Sequence, residues 1–317
     1  MHGVAAVVVT YNRRQLLARC LEAIRAQTAQ LERIYVIDNA STDGTAEMLD
    51  EAGFLGDGRI ELCRLPTNTG SAGGFHAGMR RAYEAGHAWL WLMDDDGYPA
   101  PDCLERLLAG GQKLDVVGPA VVLPEEPSRL TWPPRQVGPG GRYRMLRSLG
   151  AHHRDLELAA PEGIYPDFAA LFNGVLVSRR VPAEVGFVLA DLFIWGDENE
   201  YLLRCRSAGF RVGTCTGALH FHPYVKPRLS SRLKFYHLYR NSMYIERLYF
   251  RLMHPAWLRP IYPLYLSLRM LGNLPSLSPS YLLTLLQGAR HARRGELVPF
   301  PDKPRAGAVA TVGPETA

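Results

Sequence analysis

Cysteine is scarce in this 317-residue chain, and its five copies, Cys20, Cys63, Cys103, Cys205 and Cys215, form no C-x-x-C pair. An odd number at these spacings excludes a disulfide framework and a thiolate zinc site, and it predicts a reducing compartment. Long apolar runs are also missing. The longest charge-free stretch, residues 270–289, holds two prolines, two glycines and six Asn, Ser, Thr or Gln, too polar for a membrane-spanning helix. Ahead of Val4 there is neither a basic segment nor a small-residue cleavage site, so no secretory signal is expected. The phosphate-gripping glycine patterns are absent too: the first apolar run is followed by TYNRR rather than G-x-G-x-x-G, and no G-x-x-x-x-G-K-[ST] occurs.

Charge is present but unevenly spread. At 47% hydrophobic and 21% charged, the composition is that of an ordinary globular protein with a formal net charge of +5. Between Pro223 and Phe300 twelve Lys or Arg face two acids, Glu246 and Glu296, so this segment carries +10 and the rest −5. An anionic partner is therefore expected at one end of the chain, and a cation at the other.

Residues 4–10 (VAAVVVT) have the look of a strand buried on both faces. Asn12 stands where a cap is expected before Leu16, Leu17, Cys20, Leu21 and Ile24, which fall at helical spacing. A strand over 33–38, a short helix capped by Thr42 or Asp43, a strand over 59–64, a helix over 72–85 and a strand over 88–93 complete βαβαβαβ. The predicted fold is α/β, a Rossmann-like, mostly parallel sheet flanked by helices. Beyond it, a helix over 101–109 and strands over 114–123, 168–178 and 211–222 are expected, with a helix over 198–208. Residues 124–150, rich in Pro, Gly and Arg, read as a loop near the active side or an insertion. From about residue 230 the pattern turns helical, basic and aromatic, and the tail after Phe300 has the composition of a disordered segment.

Four motifs carry chemistry. In WLMDDDGYP (residues 91–99) three carboxylates end a buried strand, which is costly without a cation; oxygen ligands favour Mg2+ or Mn2+. Strand alternation turns Asp94 and Asp96 to one side and Asp95 to the other. In VIDNASTDGT (36–45), Asp38 ends a strand where a carboxylate can accept from a ribose or a base N–H. In NTGSAGGFHAG (68–78), four glycines open a helix and permit close approach of a ligand. In WGDENEY (195–201), Asp197 and Glu198 are both candidates for a general base, although acids at a helix start are also favoured by the dipole alone. Downstream, His220 and His222 of ALHFHP share a face as possible metal ligands.

Taken together and in order, VVVTYNR, VIDNASTDGT, NTGSAGG, WLMDDD, FNGVLVS, WGDENEY and HFHP resemble glycosyltransferase family 2, inverting enzymes of the GT-A fold. The likeness is strongest to bacterial galactofuranosyltransferases and rhamnosyltransferases that build cell-surface glycans, and it spans residues 4–241. It implies a GT-A catalytic unit over 1–225, with nucleotide-sugar binding in 1–97 and the acceptor half in 98–225. A basic helical region over 226–300 and the tail over 301–317 follow. The resemblance places Thr10, Asn12, Asp38, Asn68, Gly70, Gly73, Asp94 and Asp95 along the donor. It makes Asp96, with Asp94, a ligand of Mn2+ or Mg2+. Counting onward from Asp197 gives His222 as the histidine completing the metal site, with Glu198 as base; many members hold Asp at that position, so Asp197 remains an alternative. Trp195, Asn173 and Gly174 are expected to meet the acceptor.

The activity so implied is metal-dependent transfer of galactofuranose or rhamnose from UDP or dTDP to a cell-surface glycan or lipid-linked acceptor. Galactan polymerases of the family carry an extra N-terminal domain, so a single addition is expected here. A sugar-nucleotide pyrophosphorylase would want glycines in TYNRR, and a non-catalytic glycan- or nucleotide-binding module would not need the intact acidic set. Arg232, Lys234, Arg240, Arg247, Arg251, Arg259 and Arg269, interleaved with Tyr236, Tyr239, Tyr244, Tyr249, Phe250, Trp257, Tyr262 and Tyr265, have the composition of a surface resting on anionic lipid. A cytoplasmic protein, peripheral on the inner face of the cell membrane, is the expectation. No nucleic-acid-binding fold accompanies these residues, and the oligomeric state is left open.

Overall fold

Seven uncharged residues, four of them valine, make β1 (Val4–Thr10), and every one is buried. A computed structural model of the protein describes residues 3–225, 231–272 and 278–298. After β1 come α1 (Arg14–Arg25), β2 (Arg33–Asp38), α2 (Thr45–Glu51), β3 (Ile60–Arg64), α3 (Gly70–Glu84) and β4 (Trp89–Asp94). The four strands lie in the order β3, β2, β1, β4, all parallel. Side chains sort by parity. Ala5, Val7 and Val9, with Leu90 and Leu92, pack against Phe75, Met79 and Ala82 of α3. Val4, Ala6 and Val8, with Trp91 and Met93, pack against Leu17, Cys20, Leu21 and Ile24 of α1 on the opposite face. The strand–helix alternation expected through residue 93 is thus observed.

The chain continues through β5 (Tyr98–Pro99), α4 (Cys103–Gly110), β6 (Val116–Val122), β7 (Arg135–Val137), β8 (Tyr143–Ser148), α5 (His153–Ala159), β9 (Ile164–Pro166), β10 (Asn173–Ser178), α6 (Arg180–Val185), α7 (Asp197–Ser207) and β11 (Val212–Phe221). The sheet extends from β4 through β10, β6 and β11 to β5, with β9 also on β11. β10 runs antiparallel to both β4 and β6, whereas β6 and β11 are parallel.

Four local expectations change. Asn12 does not cap α1; it takes a left-handed φ of 53° and its Oδ1 accepts the Thr42 N–H at 2.7 Å. The opening N–H of α1, from Arg14, goes instead to Asp43 Oδ2 at 3.1 Å, so the cap comes from another loop. α2 is entered through Gly44 at φ 82° rather than through a Thr42 or Asp43 side-chain cap. The strand expected from 168 begins only at Asn173, because Asp167 and Phe172 adopt left-handed φ values of 59° and 63°. The segment read as a loop over 124–150 contains the β7–β8 hairpin.

The C-terminal part forms α8 (Arg232–Met253), α9 (Tyr262–Gly272) and α10 (Pro279–Arg294). Ser231 caps α8 by accepting the Lys234 N–H at 3.2 Å. The reading of the aromatic and basic residues as one lipid-facing surface is corrected here. Tyr236, Tyr239, Arg240 and Phe250 are buried, since α8 packs against both α10 and α7. Lys226 and the tail over 301–317 lie outside the described residues.

Candidate active site

Parallel register brings the ends of three strands together: Thr10 pairs with Asp38, and Val9 with Asp94. This is the carboxyl edge, where open α/β sheets bind ligands. β4 ends at Asp94, and in the turn that follows Asp95 is buried while Asp96 is half-buried, so strand alternation does not extend through the three acids. The Asp95 carboxylate accepts from the Thr10 hydroxyl at 2.6 Å and from Arg13 Nη1 at 3.2 Å. Burial pushes the Asp95 carboxyl up to about 6, against the opposing pull of Arg13. Arg13, which carried no role in the sequence reading, also donates to Asp96 Oδ2 at 2.7 Å.

Asp96 Oδ1 lies 3.0 Å from Nε2 of His222. Burial alone would raise this carboxyl, but His222 and Arg13 overcome it and hold it down to about 2. Nδ1 of His222 faces the Pro223 carbonyl at 2.7 Å, so both ring nitrogens face oxygen acceptors. The rings of Trp132 and His222 are 4.7 Å apart, and the Thr131 hydroxyl donates to the His222 carbonyl. Residues of the 124–150 segment therefore do reach the site. His220 is placed differently: fully buried, its ring sits where a Cβ on Gly97 would lie 2.3 Å from Nε2 and one on Gly174 2.8 Å from Nδ1. Burial drives its pKa down to about 3, so it is neutral packing behind the site.

Asp94 accepts no hydrogen bond through its carboxylate from the described residues. Burial and the charges of Asp96 and Asp95 drive this carboxyl well up, and the charge of Glu198, at the acidic helix start, adds to the push. Asp197 and Glu198 open α7 behind Gly196, whose φ is 94°. Asp197 is buried, accepts from the Ser71 hydroxyl at 2.9 Å, and has its carboxyl raised well above the usual range by burial and then by Glu198. Glu198 is half-buried; its Oε2 accepts the Gly196 N–H at 3.1 Å.

Other expected residues have internal partners. Asp38 Oδ1 accepts the Ser41 N–H at 2.9 Å, while its buried Oδ2 has no hydrogen-bond donor and only Arg64 Nε at 3.5 Å. Asn68 Oδ1 accepts the Gly70 N–H at 2.8 Å. A Cβ on Gly70 (φ 71°) would lie 1.9 Å from the Phe193 carbonyl oxygen, and that oxygen accepts the Ala72 N–H at 3.1 Å. A Cβ on Gly73 would meet the Thr69 side chain. In the same helix Gly74 and Gly78 let the backbone sit on Val9, Val7 and Ile37, so the glycines seat α3 on the sheet. Asn173 keeps a buried Oδ1 without a partner, and the carbonyl of Gly174 accepts the Trp91 indole N–H at 2.8 Å. Trp195 is half-buried, with a left-handed φ of 59°.

Among the described residues no group of three His, Cys, Asp or Glu stands ready to hold a metal ion. The pair Asp96–His222, with the donor-free carboxylate of Asp94 beside it, nevertheless supplies the O and N donors that suit Mn2+ or Mg2+.

The family model described as Glycosyl transferase family 2 matches residues 5–173. Galactofuranosyltransferase GlfT1 of Mycolicibacterium smegmatis is 34% identical over 262 residues, covering 76% of this chain and 82% of the relative. The chain belongs to glycosyltransferase family 2. Two solved structures share the fold of this family 2 protein. The mannosyltransferase PcManGT from Pyrobaculum calidifontis, in complex with GDP-Man and Mn2+, has a TM-score of 0.55 at 18% identity over 90% of this chain and 75% of that one. GalNAc-T7 with UDP, GalNAc and Mn2+ has a TM-score of 0.57 at 17% identity over 77% of this chain and 48% of that one, so the chain spans about half its length. The architecture of this glycosyltransferase is the GT-A fold.

Proposed function

We propose that this family 2 protein is an inverting, divalent-metal-dependent glycosyltransferase. It moves galactofuranose or rhamnose from a UDP or dTDP donor to a cell-surface glycan or lipid-linked acceptor. The observation that carries the reading is the Asp96–His222 contact beside the donor-free carboxylate of Asp94 at the strand end, with Glu198 near enough for its charge to act on Asp94. Galactofuranose is the first choice because a relative of 34% identity bears that activity in its name.

The roles follow from accessibility. Asp38, at the strand end, keeps an Oδ2 that accepts no hydrogen bond and has only Arg64 Nε at 3.5 Å, the acceptor proposed for a ribose hydroxyl or a base N–H. Asp96 and His222, with Asp94, would hold Mn2+ or Mg2+, which when bound offsets the charge developing on a leaving diphosphate. Glu198 takes the proton from the acceptor hydroxyl. The acceptor oxygen then bonds to the anomeric carbon as the bond to the phosphate oxygen breaks on the opposite side, so the configuration inverts and the nucleoside diphosphate leaves. Asp197 is the poorer base: it is buried beneath Ser71 and burial favours its protonated form. With a lipid-linked acceptor goes a peripheral place on the inner membrane face; no helix among the described residues is long and apolar enough to cross a membrane.

The test is thermal unfolding with Mn2+ and a panel of sugar nucleotides, where a donor at one hundred times its Kd stabilises by about 2.7 kcal/mol. The anomeric configuration of the product then reads inversion. No stabilisation with any sugar nucleotide sinks the proposal.

A further inference from the structure

Residues 247–295 contain seven arginines and no Asp or Glu. The structure shows which side chains of this stretch reach the surface. α9 turns Leu266 and Met270 inward. On its other face, Ile261, Leu264, Tyr265 and Leu268 follow one another at i, i+3, i+4 and i+7, with Leu264 64% and Leu268 58% exposed. α10 repeats the pattern, with Leu285 inward and Leu282, Leu283 and Leu286 outward, while Trp257, in the turn between α8 and α9, is 68% exposed. Single exposed leucines are ordinary, but consecutive faces of two helices are not. Between α9 and α10 lies a cleft of about 340 Å3 whose lining includes Tyr239, Ser267, Arg290, Arg293 and Arg294.

We propose that this α9–α10 face docks on a bilayer of anionic phospholipid. The outward leucines and Trp257 enter the boundary between headgroups and acyl chains, and the arginine-lined cleft receives a lipid phosphate. The partner follows from charge complementarity. A second copy of the chain is disfavoured, since a two-fold contact through this face sets its arginines against their own equivalents, and the nearby acid, Glu296, is already paired with Arg294 at 3.8 Å. The surface differs from the one composition suggested, because Tyr236, Tyr239, Arg240 and Phe250 are internal. It deepens the proposed peripheral location and rests on the lipid-linked acceptor for its purpose, though not for its binding.

Co-sedimentation of the full chain with vesicles tests it. The wild type is expected to pellet with phosphatidylglycerol-containing vesicles, to remain in solution with pure phosphatidylcholine, and to be released by salt. The pair Arg290→Glu and Arg293→Glu, and separately Leu264→Ser with Leu268→Ser, are each expected to weaken binding about tenfold or more while leaving the unfolding temperature unchanged, as these side chains are exposed. Absence of binding to anionic vesicles, or equal binding to both vesicle types, overturns the proposal. So does a finding by sedimentation velocity that the leucine pair dissociates a dimer while vesicle binding is unaffected. Donor-induced stabilisation measured on the same preparation separates the two failures: stabilisation without vesicle binding removes the docking face alone, and vesicle binding without stabilisation removes the transferase reading alone.

Discussion

The side-chain amide of Asn241 lies 2.6 Å from the carbonyl oxygen of Trp195, tying α8 to the backbone two residues ahead of Asp197. The same amide donates to the carbonyls of Leu192 and Ile194, at 2.9 and 3.0 Å. Its neighbour Arg240, also buried, donates to Asp191 and Leu192. The segment so held contains Phe193 and Trp195 at φ values of 65° and 59°, each costing about 1–2 kcal/mol and stable only where the surroundings over-determine it. The C-terminal helices are therefore part of what positions the acidic pair.

Replacing Asn241 with Ala leaves buried carbonyls without donors and should cost about 2–4 kcal/mol of stability, read by urea unfolding. The loop that presents Glu198 then relaxes. Transfer should lose about ten- to one-hundredfold in kcat, with a much smaller change in donor KM, since the donor wall on β1, β2 and β4 is untouched. An unchanged kcat would show that the brace is structural only.

Glu198 and Asp197 are separable by their environments. Glu198→Gln keeps the shape and the Gly196 contact but cannot take a proton, so kcat should fall by about 10²–10⁴. Asp197→Asn replaces a carboxyl whose protonated form burial favours, and should cost well under tenfold. The reverse order in a steady-state comparison assigns the base to Asp197.

Much of this architecture is visible in the sequence because it rests on periodicity. Buried parallel strands such as VAAVVVT and WLWLM have no polar face, and the acids ending them stand out. Likewise, the resemblance to galactofuranosyltransferases, counted onward from Asp197, implies His222, and the fold brings that histidine to Asp96. What was hidden depends on contacts between segments with no shared pattern. Arg13 follows β1 with no pattern in the sequence that marks a role for it, and its pairing with Asp95 and Asp96 exists only once β1 and β4 are neighbours. The glycines of α3 looked like a ligand cradle because close approach to a sheet and close approach to a ligand demand the same residue. Composition could not divide the aromatic side chains of α8 from those of α9, since a helix buried on one face carries both kinds.

His237 gives the protein an acid-sensitive element outside the site. It is buried with Nδ1 unpartnered, and burial, helped by the charge of Arg240, lowers its pKa from 6.5 to about 3. The unfolded chain therefore binds a proton below 6.5 that the native state refuses until about 3, so this group's contribution destabilises as pH falls through that window. Between pH 7.5 and 5.5 it should amount to about 1.4 kcal/mol. In His237→Gln the pH dependence of urea unfolding should be shallower than wild type by about that amount. Parallel pH profiles for the two proteins would refute it.

Gly70 tests whether α3 and the loop before α7 form one unit. At φ 71° any other residue is strained, and a Cβ there would overlap the Phe193 carbonyl that accepts from Ala72. Gly53 offers a control, because its φ is 70° but no atom lies within 4 Å of a built Cβ. Gly53→Ala should cost about 1 kcal/mol from backbone strain alone. Gly70→Ala adds a backbone collision and should cost at least about 2 kcal/mol more, and moving Phe193 should also displace Trp195 and Glu198, lowering kcat. Equal losses of stability in the two variants would mean that Phe193 yields freely and that the loop is held by Asn241 and Arg240 alone.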